Sequence, residues 1–225
     1  MPSQGKLFGM WLITAGPTRE PLDSVRFLSN GSSGTMGYAL AAEAARRGQE
    51  VCLVSGPVSL PCPEGVERIQ VQSARDMLTA AEEALSGRSC AVLLGVAAVS
   101  DVRPRECVDG KPPKEEMSDH IELVPNPDVL ATLVGRAGAR LAVGFALESM
   151  AEDHGGFPGA LERARGKLER KGLDAIVLNQ LASMENPETE CWWVEPLGEP
   201  KPLGRGDKTM LAVSIVDRLQ MLLRD

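Results

Sequence analysis

Apolar and polar positions alternate between two periods along this chain. Apolar runs at Trp11-Leu12-Ile13 and at residues 50–55, 90–99, 141–145 and 174–178 read as strands. Residues 66–71 (VERIQV) alternate like a short strand, residues 121–124 resume one, and residues 190–194 (ECWWV) read as an edge strand or hairpin piece. Between them, residues 36–47 carry Met36, Leu40 and Ala44 at helical spacing, and Gly48 stops the helix. Ser73 caps a helix through Leu85, with Met77, Leu78, Ala81 and Leu85 on one face. A further helix starts at Asn126-Pro127-Asp128, with Asn126 as N-cap and Pro127 in the first position. Two more follow, at residues 158–171 and at residues 208–223 behind Asp207. Strands alternating with helices predict a single α/β domain: a Rossmann-like, doubly wound and mostly parallel sheet. The run CAVLLGVAAV at residues 90–99 suits a central strand buried on both faces.

Two segments break the rhythm. Between the first strand and first helix lies a long loop closed by Gly31-Ser32-Ser33-Gly34-Thr35-Met36-Gly37. Glycines allow close approach of backbone to a ligand, and N–H groups at a helix start attract anions, so a phosphate or carboxylate is expected there. The spacing is G-x-x-G-x-x-G rather than the dinucleotide fingerprint, and no Lys-Ser or Lys-Thr completes a P-loop. Packing at a strand-to-helix turn explains such glycines equally well. Residues 100–118 are polar, hold three prolines and two lysines, and show no amphipathic period; a loop of that length inside a domain is more often functional than idle. In a doubly wound sheet, ligands sit beyond the carboxyl ends of the strands. That rim collects Asn30, Ser32, Asp101, Lys111, Lys114, Phe145 and Asn179.

Composition narrows the field. The 225 residues suffice for one core, and a net charge of −7 argues against general nucleic-acid binding. No apolar run is long enough to cross a bilayer and the first residues lack a signal-peptide pattern, so a cytoplasmic protein is expected. Five scattered cysteines without a C-x-x-C pair read as reduced thiols. With only two distant histidines, a structural zinc site is not expected.

The blocks AGPTREPLDSVRFLSNGSSGTMGYALA, AAVSDVRP followed by a lysine-bearing loop, PNPDVL, VGFALES and ARGKLERKGLDAIVLN stand in the order that resembles phosphopantothenoylcysteine synthetase (phosphopantothenate–cysteine ligase) of coenzyme A synthesis. The resemblance runs over residues 11–180 and implies a Rossmann-like homodimer. It implies that the carboxylate of 4'-phosphopantothenate attacks the α-phosphate of CTP, with Mg2+, to give an acyl-cytidylate and pyrophosphate. The amine of cysteine then displaces CMP. Carried over by position, Asn30 handles the acyl-nucleotide and Lys111 serves nucleotidyl transfer. Gly16, Ser32, Gly34 and Gly37, with Asn30, receive the phosphorylated acid. Nucleotide contacts fall on Ala97, Asp101, Lys111, Pro127, Asp128, Val129, Leu130, Phe145, Lys167 and Lys171; no metal-ligand set is assigned. In the KPPK loop, Lys111 is preferred over Lys114 because its distance from Ala97-Ala98 fits without a gap. CTP rather than ATP follows from the bacterial look of the first block. Many bacterial relatives are fused behind a flavin-dependent decarboxylase; no such domain precedes Met1. The chain is therefore read as one ligase domain over residues 1–225, either stand-alone or one half of a bifunctional protein.

Residue chemistry agrees with these roles. Building an acyl-phosphate bond on a polyphosphate needs positive charge and positioning more than a strong base. A loop lysine that closes over phosphates also excludes water. Asn30 can donate to an oxyanion and accept from an amine, although turn formation is its commoner use. Lys167 and Lys171 share a helix face at i, i+4 spacing, with Glu162 and Glu169 nearby to neutralise them. A short-chain nicotinamide oxidoreductase would need Y-x-x-x-K, but Tyr38 is followed four positions on by Ala42. A non-catalytic nucleotide-binding module is the remaining alternative.

Overall fold

The computed structural model describes residues 9–113, 119–180 and 188–224; Lys114 lies outside them. An eight-stranded sheet runs through the domain. Its strands are β1 (Met10–Ala15), β4 (Val51–Ser55), β5 (Val66–Gln70), β6 (Cys90–Gly95), β9 (Leu141–Glu148), β10 (Ala175–Gln180), β11 (Glu188–Val194) and β12 (Lys201–Asp207). The order across the sheet is β12-β11-β10-β9-β6-β1-β4-β5. The six strands from β10 to β5 are parallel, and β11 and β12 are antiparallel to their neighbours. Helices α1 (Thr35–Arg46) and α5 (Lys208–Leu222) cover one face, burying Leu40, Ala41, Ile215 and Leu219 against Trp11 and Ile13. Helices α2 (Ala74–Leu85), α3 (Val129–Ala137) and α4 (Gly156–Lys171) cover the other, burying Met77, Leu133 and Leu168 with Leu12, Leu93 and Ile176. Every residue of β1 is buried, as a strand sandwiched between two helical layers requires. This is the doubly wound α/β domain that the alternating pattern predicts. Among the described residues, no helix is long and apolar enough to cross a membrane.

Local chemistry fixes several element ends. Ser73 and Asp76 form a reciprocal capping box: the Asp76 N–H donates to Ser73 Oγ (3.2 Å) and the Ser73 N–H to Asp76 Oδ2 (2.9 Å). Asp207 caps α5 by accepting from the N–H groups of Thr209 and Met210, both at 2.8 Å. The N-cap of α3 is Asp128, not Asn126, and Pro127 lies outside the helix. Asn126 is occupied elsewhere: its Nδ2 donates to the Ser100 carbonyl (2.9 Å) and its Oδ1 accepts from Arg103 (3.3 Å).

Three further differences from the sequence pattern matter for the site. Strand β6 ends at Gly95, so Val96 to Val99 leave the sheet although their apolar character continues. Strand β11 is the hairpin piece rather than the edge of the two readings of residues 190–194, because β12 pairs antiparallel outside it. Two small antiparallel ribbons lie outside the sheet, one of β2 (Arg19–Pro21) with β3 (Phe27–Ser29), the other of β7 (Val102–Pro104) with β8 (Leu123–Pro125). The turn of the first ribbon is held by Asp23, whose Oδ1 accepts from the N–H groups of Val25 (2.8 Å) and Arg26 (2.7 Å). The Arg26 guanidinium and these backbone donors hold the Asp23 carboxyl down at about 2.

Candidate active site

Strand order reverses between β1 and β6. Chain leaving β1 crosses to β4 on one side, whereas chain leaving β5 crosses back to β6 on the other. Connections diverge there and leave a cleft at the carboxyl ends of β1, β6 and β9. The cleft has two chambers that share Gly31, Ala97, Ala98, Phe145 and Leu147.

The first chamber, about 240 Å³, is walled by the loop from Gly31 to Gly37, by Val96 to Ala98, and by Asn179 and Lys208. Its shape depends on missing side chains. Gly34, the N-cap of α1, has φ +76°, and a Cβ there would stand 2.9 Å from Val58 and 3.3 Å from the Gly16 Cα. A Cβ on Gly37 would stand 2.5 Å from the Ala15 Cβ. These glycines therefore serve packing and chamber formation together: the start of α1 lies against the end of β1 because nothing projects between them. The loop's hydroxyls are set by local bonds, with Ser33 Oγ and Thr35 Oγ1 2.8 Å apart. Asn179 Oδ1 accepts from the buried Cys191 Sγ–H at 2.9 Å, and burial pushes that thiol up to about 12.

The second chamber, about 610 Å³, is lined by Asn30, by Ala97 to Asp101, by Asn126 to Leu130 and by Lys167, Arg170 and Lys171. Its floor is also glycine. Gly95 and Gly144 are register partners on β6 and β9, and a Cβ on Gly95 would lie 2.5 Å from Leu130. Its two lysines come already paired. Lys167 Nζ is 2.6 Å from Glu148, which also takes Arg163 Nε at 2.6 Å. Lys171 Nζ is 2.7 Å from Asp128, the residue that caps α3. Burial raises the pKa of both carboxyls, but the hydrogen bonds from Lys167 and Arg163 to Glu148, and from Lys171 to Asp128, outweigh it and leave both below the carboxylate norm. Asp101, at the mouth, is exposed and carries no ion pair to a described residue.

At the junction of the chambers, Asn30 Nδ2 donates to the Ala98 carbonyl at 3.0 Å. That stretch is anchored from below, since the Ala98 N–H donates to the Gly16 carbonyl (2.9 Å) and the Ser100 N–H to the buried Thr18 hydroxyl (3.0 Å).

Most residues singled out from the sequence meet here. Ser32, Gly34 and Gly37 line the first chamber, and Ala97 and Phe145 line both. Asn30, Asp101, Pro127, Asp128, Val129, Leu130, Lys167 and Lys171 line the second. Gly16 lies beneath the loop and lines neither chamber, and exposed Lys111 lines neither. Lys111 follows Gly110, which is bonded to Ser24 of the first ribbon in both directions, at 3.1 and 3.0 Å. The neutralising partners of the two helix lysines are Glu148 and Asp128, not Glu162 and Glu169. Lys208, Arg170 and Glu148 are additions: Lys208 opens a helix read for its apolar face, and Glu148 lies nineteen residues from its lysine. Among the described residues, no group of three or more His, Cys, Asp or Glu side chains converges as a metal site.

An open α/β sheet with a two-chambered cleft at its switch point is the architecture of a ligand-binding α/β domain. Residues 9–222 match the family model of the DNA/pantothenate metabolism flavoprotein C-terminal domain, and the chain belongs to that family. It is 40% identical over 222 residues to the coenzyme A biosynthesis bifunctional protein CoaBC of Vibrio vulnificus (strain YJ016), covering 94% of this chain and 52% of that protein. It is 43% identical over 209 residues to CoaBC of Escherichia coli (strain K12), covering 86% and 49%. The chain thus spans about half the length of the curated relatives it matches. The crystal structure of the C-terminal domain of a CoaBC superposes with a TM-score of 0.77 at 36% identity, covering 96% of each chain.

Proposed function

We propose that this chain is a phosphopantothenate–cysteine ligase of coenzyme A synthesis. The observation that carries the reading is the cleft itself: two chambers, one glycine-walled and one lined by the cations of α4, joined where Asn30 stands. A reaction that couples a phosphorylated acid to a nucleotide needs two anion sites sharing one wall. In this reading 4'-phosphopantothenate occupies the first chamber, held by Ser32, Gly34 and Gly37, and CTP the second, against Ala97, Asp101, Phe145, Lys167, Lys171 and the first turn of α3.

The acid's carboxylate oxygen bonds to the α-phosphorus of CTP and pyrophosphate leaves with the electrons of the broken P–O bond. The cysteine amine then bonds to the acyl carbon, CMP leaves, and the amine proton passes to solvent. Lys167 and Lys171 bring positive charge to the triphosphate, and Asn30 donates to the acyl oxygen as charge develops on it. Lys111 reaches the phosphates by closure of the loop that bears it. The donor set fits Mg2+ carried in on the nucleotide rather than caged by protein: Asp101 is the unpaired carboxylate at the mouth, while Glu148 and Asp128 already hold lysines. Bound there, Mg2+ would neutralise phosphate charge.

The active form is a homodimer, a reading supported by Val25, Phe27, Val108, Ile121 and Leu123, which expose apolar surface on and beside the two ribbons. A flavin-dependent decarboxylase, fused or separate, would consume the product. The test is pyrophosphate release with 4'-phosphopantothenate, cysteine and Mg2+, comparing CTP with ATP. Turnover with CTP alone is expected. Turnover with ATP would keep the ligation and change the nucleotide; release with neither would leave a binding module.

A further inference from the structure

We propose that Lys208 is the specificity-determining cation for the acid substrate's own phosphoryl group, so that the last helix, not only the glycine loop, completes the first chamber. This rests on the ligase reading for the identity of the ligand and on the geometry for the residue. Among the described residues, the chamber walled by Gly31 to Gly37 has Lys208 as its one lining cation. Unlike Lys167 and Lys171, each within 2.7 Å of a carboxylate, Lys208 carries no ion pair to a described residue. Its charge is therefore free to meet an incoming anion.

Its position also runs against local electrostatics. Lys208 is the first residue of α5, where the helix dipole disfavours a cation, and no acidic residue stands in that first turn. Asp207 compensates as N-cap, but its Oδ1 is already taken by the N–H groups of Thr209 and Met210. A local rule broken at the wall of a cleft is the mark of a residue kept for binding. Asn179 stands in the same chamber. With its Oδ1 accepting from Cys191, its amide hydrogens remain for the same phosphoryl oxygens or for a hydroxyl beside them. One charge-assisted contact and one neutral donor suit a phosphate monoester and discriminate against the unphosphorylated acid.

The experiment is calorimetric titration of 4'-phosphopantothenate and of pantothenate into the wild type, Lys208→Gln and Lys208→Arg, with the KM for CTP measured alongside. Wild type should bind the phosphorylated acid at least about tenfold tighter than the unphosphorylated one, as loss of a charge-assisted bond implies. Lys208→Gln should bring that ratio within about threefold, Lys208→Arg should restore most of it, and the KM for CTP should stay within about twofold. An unchanged ratio in Lys208→Gln, or a CTP KM that rises in step, overturns the assignment. Preference for the phosphorylated acid without turnover would remove the ligase reading while leaving Lys208 in place. A wild type that prefers neither acid would remove both.

Discussion

The two chambers of the cleft are built in opposite ways. The first is shaped by absence: Gly34 and Gly37 bring the start of α1 against β1, and its one cation among the described residues, Lys208, pairs with no described carboxylate. The second is shaped by presence: Lys167 and Lys171 arrive already held by Glu148 and Asp128. A chamber of the first kind is sensitive to volume. A chamber of the second kind tolerates changes of volume at its rim but depends on charge balance. Its carboxylates fix the lysines in place, and an entering polyanion would have to compete with them for the same ammonium groups. Rigid shape suits a ligand of fixed outline, whereas exchangeable ion pairs suit one that enters and leaves as a polyanion.

The largest effect should come from the residue that lies in neither chamber. Lys111→Gln should lower pyrophosphate release by about a thousandfold, as loss of a cation aimed at developing phosphate charge does. Near-normal release would confine the chemistry to the two chambers. At their junction, Asn30→Asp should leave nucleotide activation intact while amide formation falls about a hundredfold and the acyl-nucleotide accumulates, followed by quenched-flow analysis. An unaffected amide yield would leave the junction a mere wall. Gly37→Ala tests the volume rule. Its Cβ meets Ala15 at 2.5 Å, so a loss of about 1–3 kcal/mol in urea unfolding is expected, together with weaker binding of the phosphorylated acid but not of CTP.

The smallest effect tests the charge rule. Glu148 is buried, but Lys167 and Arg163 are 38% and 40% exposed, so Glu148→Gln should cost about 1–2 kcal/mol rather than the larger loss of a fully buried pair. The sign with pH follows from its depressed pKa. The stabilisation is complete above the unfolded value near 4.5 and is lost as pH falls through the lower folded value. Stability of the wild type should therefore fall more steeply below pH 4.5 than that of Glu148→Gln, as read from unfolding curves across pH 3–6. Parallel curves would mean that the pair contributes nothing.

Much of this contrast was legible in the sequence, and what was hidden had physical reasons. Buried parallel strands and helices with one apolar face announce themselves by period, and Ser73 with Asp76 marks a helix start unaided. Strand β12, KPLGRGD, does not. It is polar and rich in glycine and proline, and it is a strand because β11 offers it a partner. Strands β2, β3 and β7 have three residues each, too few for any period to register, whereas β8 overlaps the strand read at residues 121–124. The apolar run through Val99 outlasts its strand because Val96 to Val99 line the cleft or pack beside it, and a cleft wall selects apolar residues as a strand does. Asn126 and Asp128 both suit an N-cap, and only the contacts of Asn126 with Ser100 and Arg103 decide between them. Of the site, the glycine loop and the lysine pair could be read because their parts are close in sequence. Glu148 and Lys208 could not, because their meaning comes from elements that the fold brings together.

Helix α5 has a consequence for how the protein is made. It supplies Leu211, Ile215, Val216 and Leu219 to the core beneath α1, and Lys208 to the cleft. Synthesis proceeds from the N-terminus, so the glycine loop, the strands that flank it and the helices α3 and α4 beside the second chamber leave the ribosome before the layer that covers half of one sheet face. Until residue 222 has emerged, that face is bare hydrophobic surface and the first chamber lacks a wall. A nascent chain can thus complete its second chamber before its first, and it carries an exposed apolar surface for chaperones to cover throughout that interval.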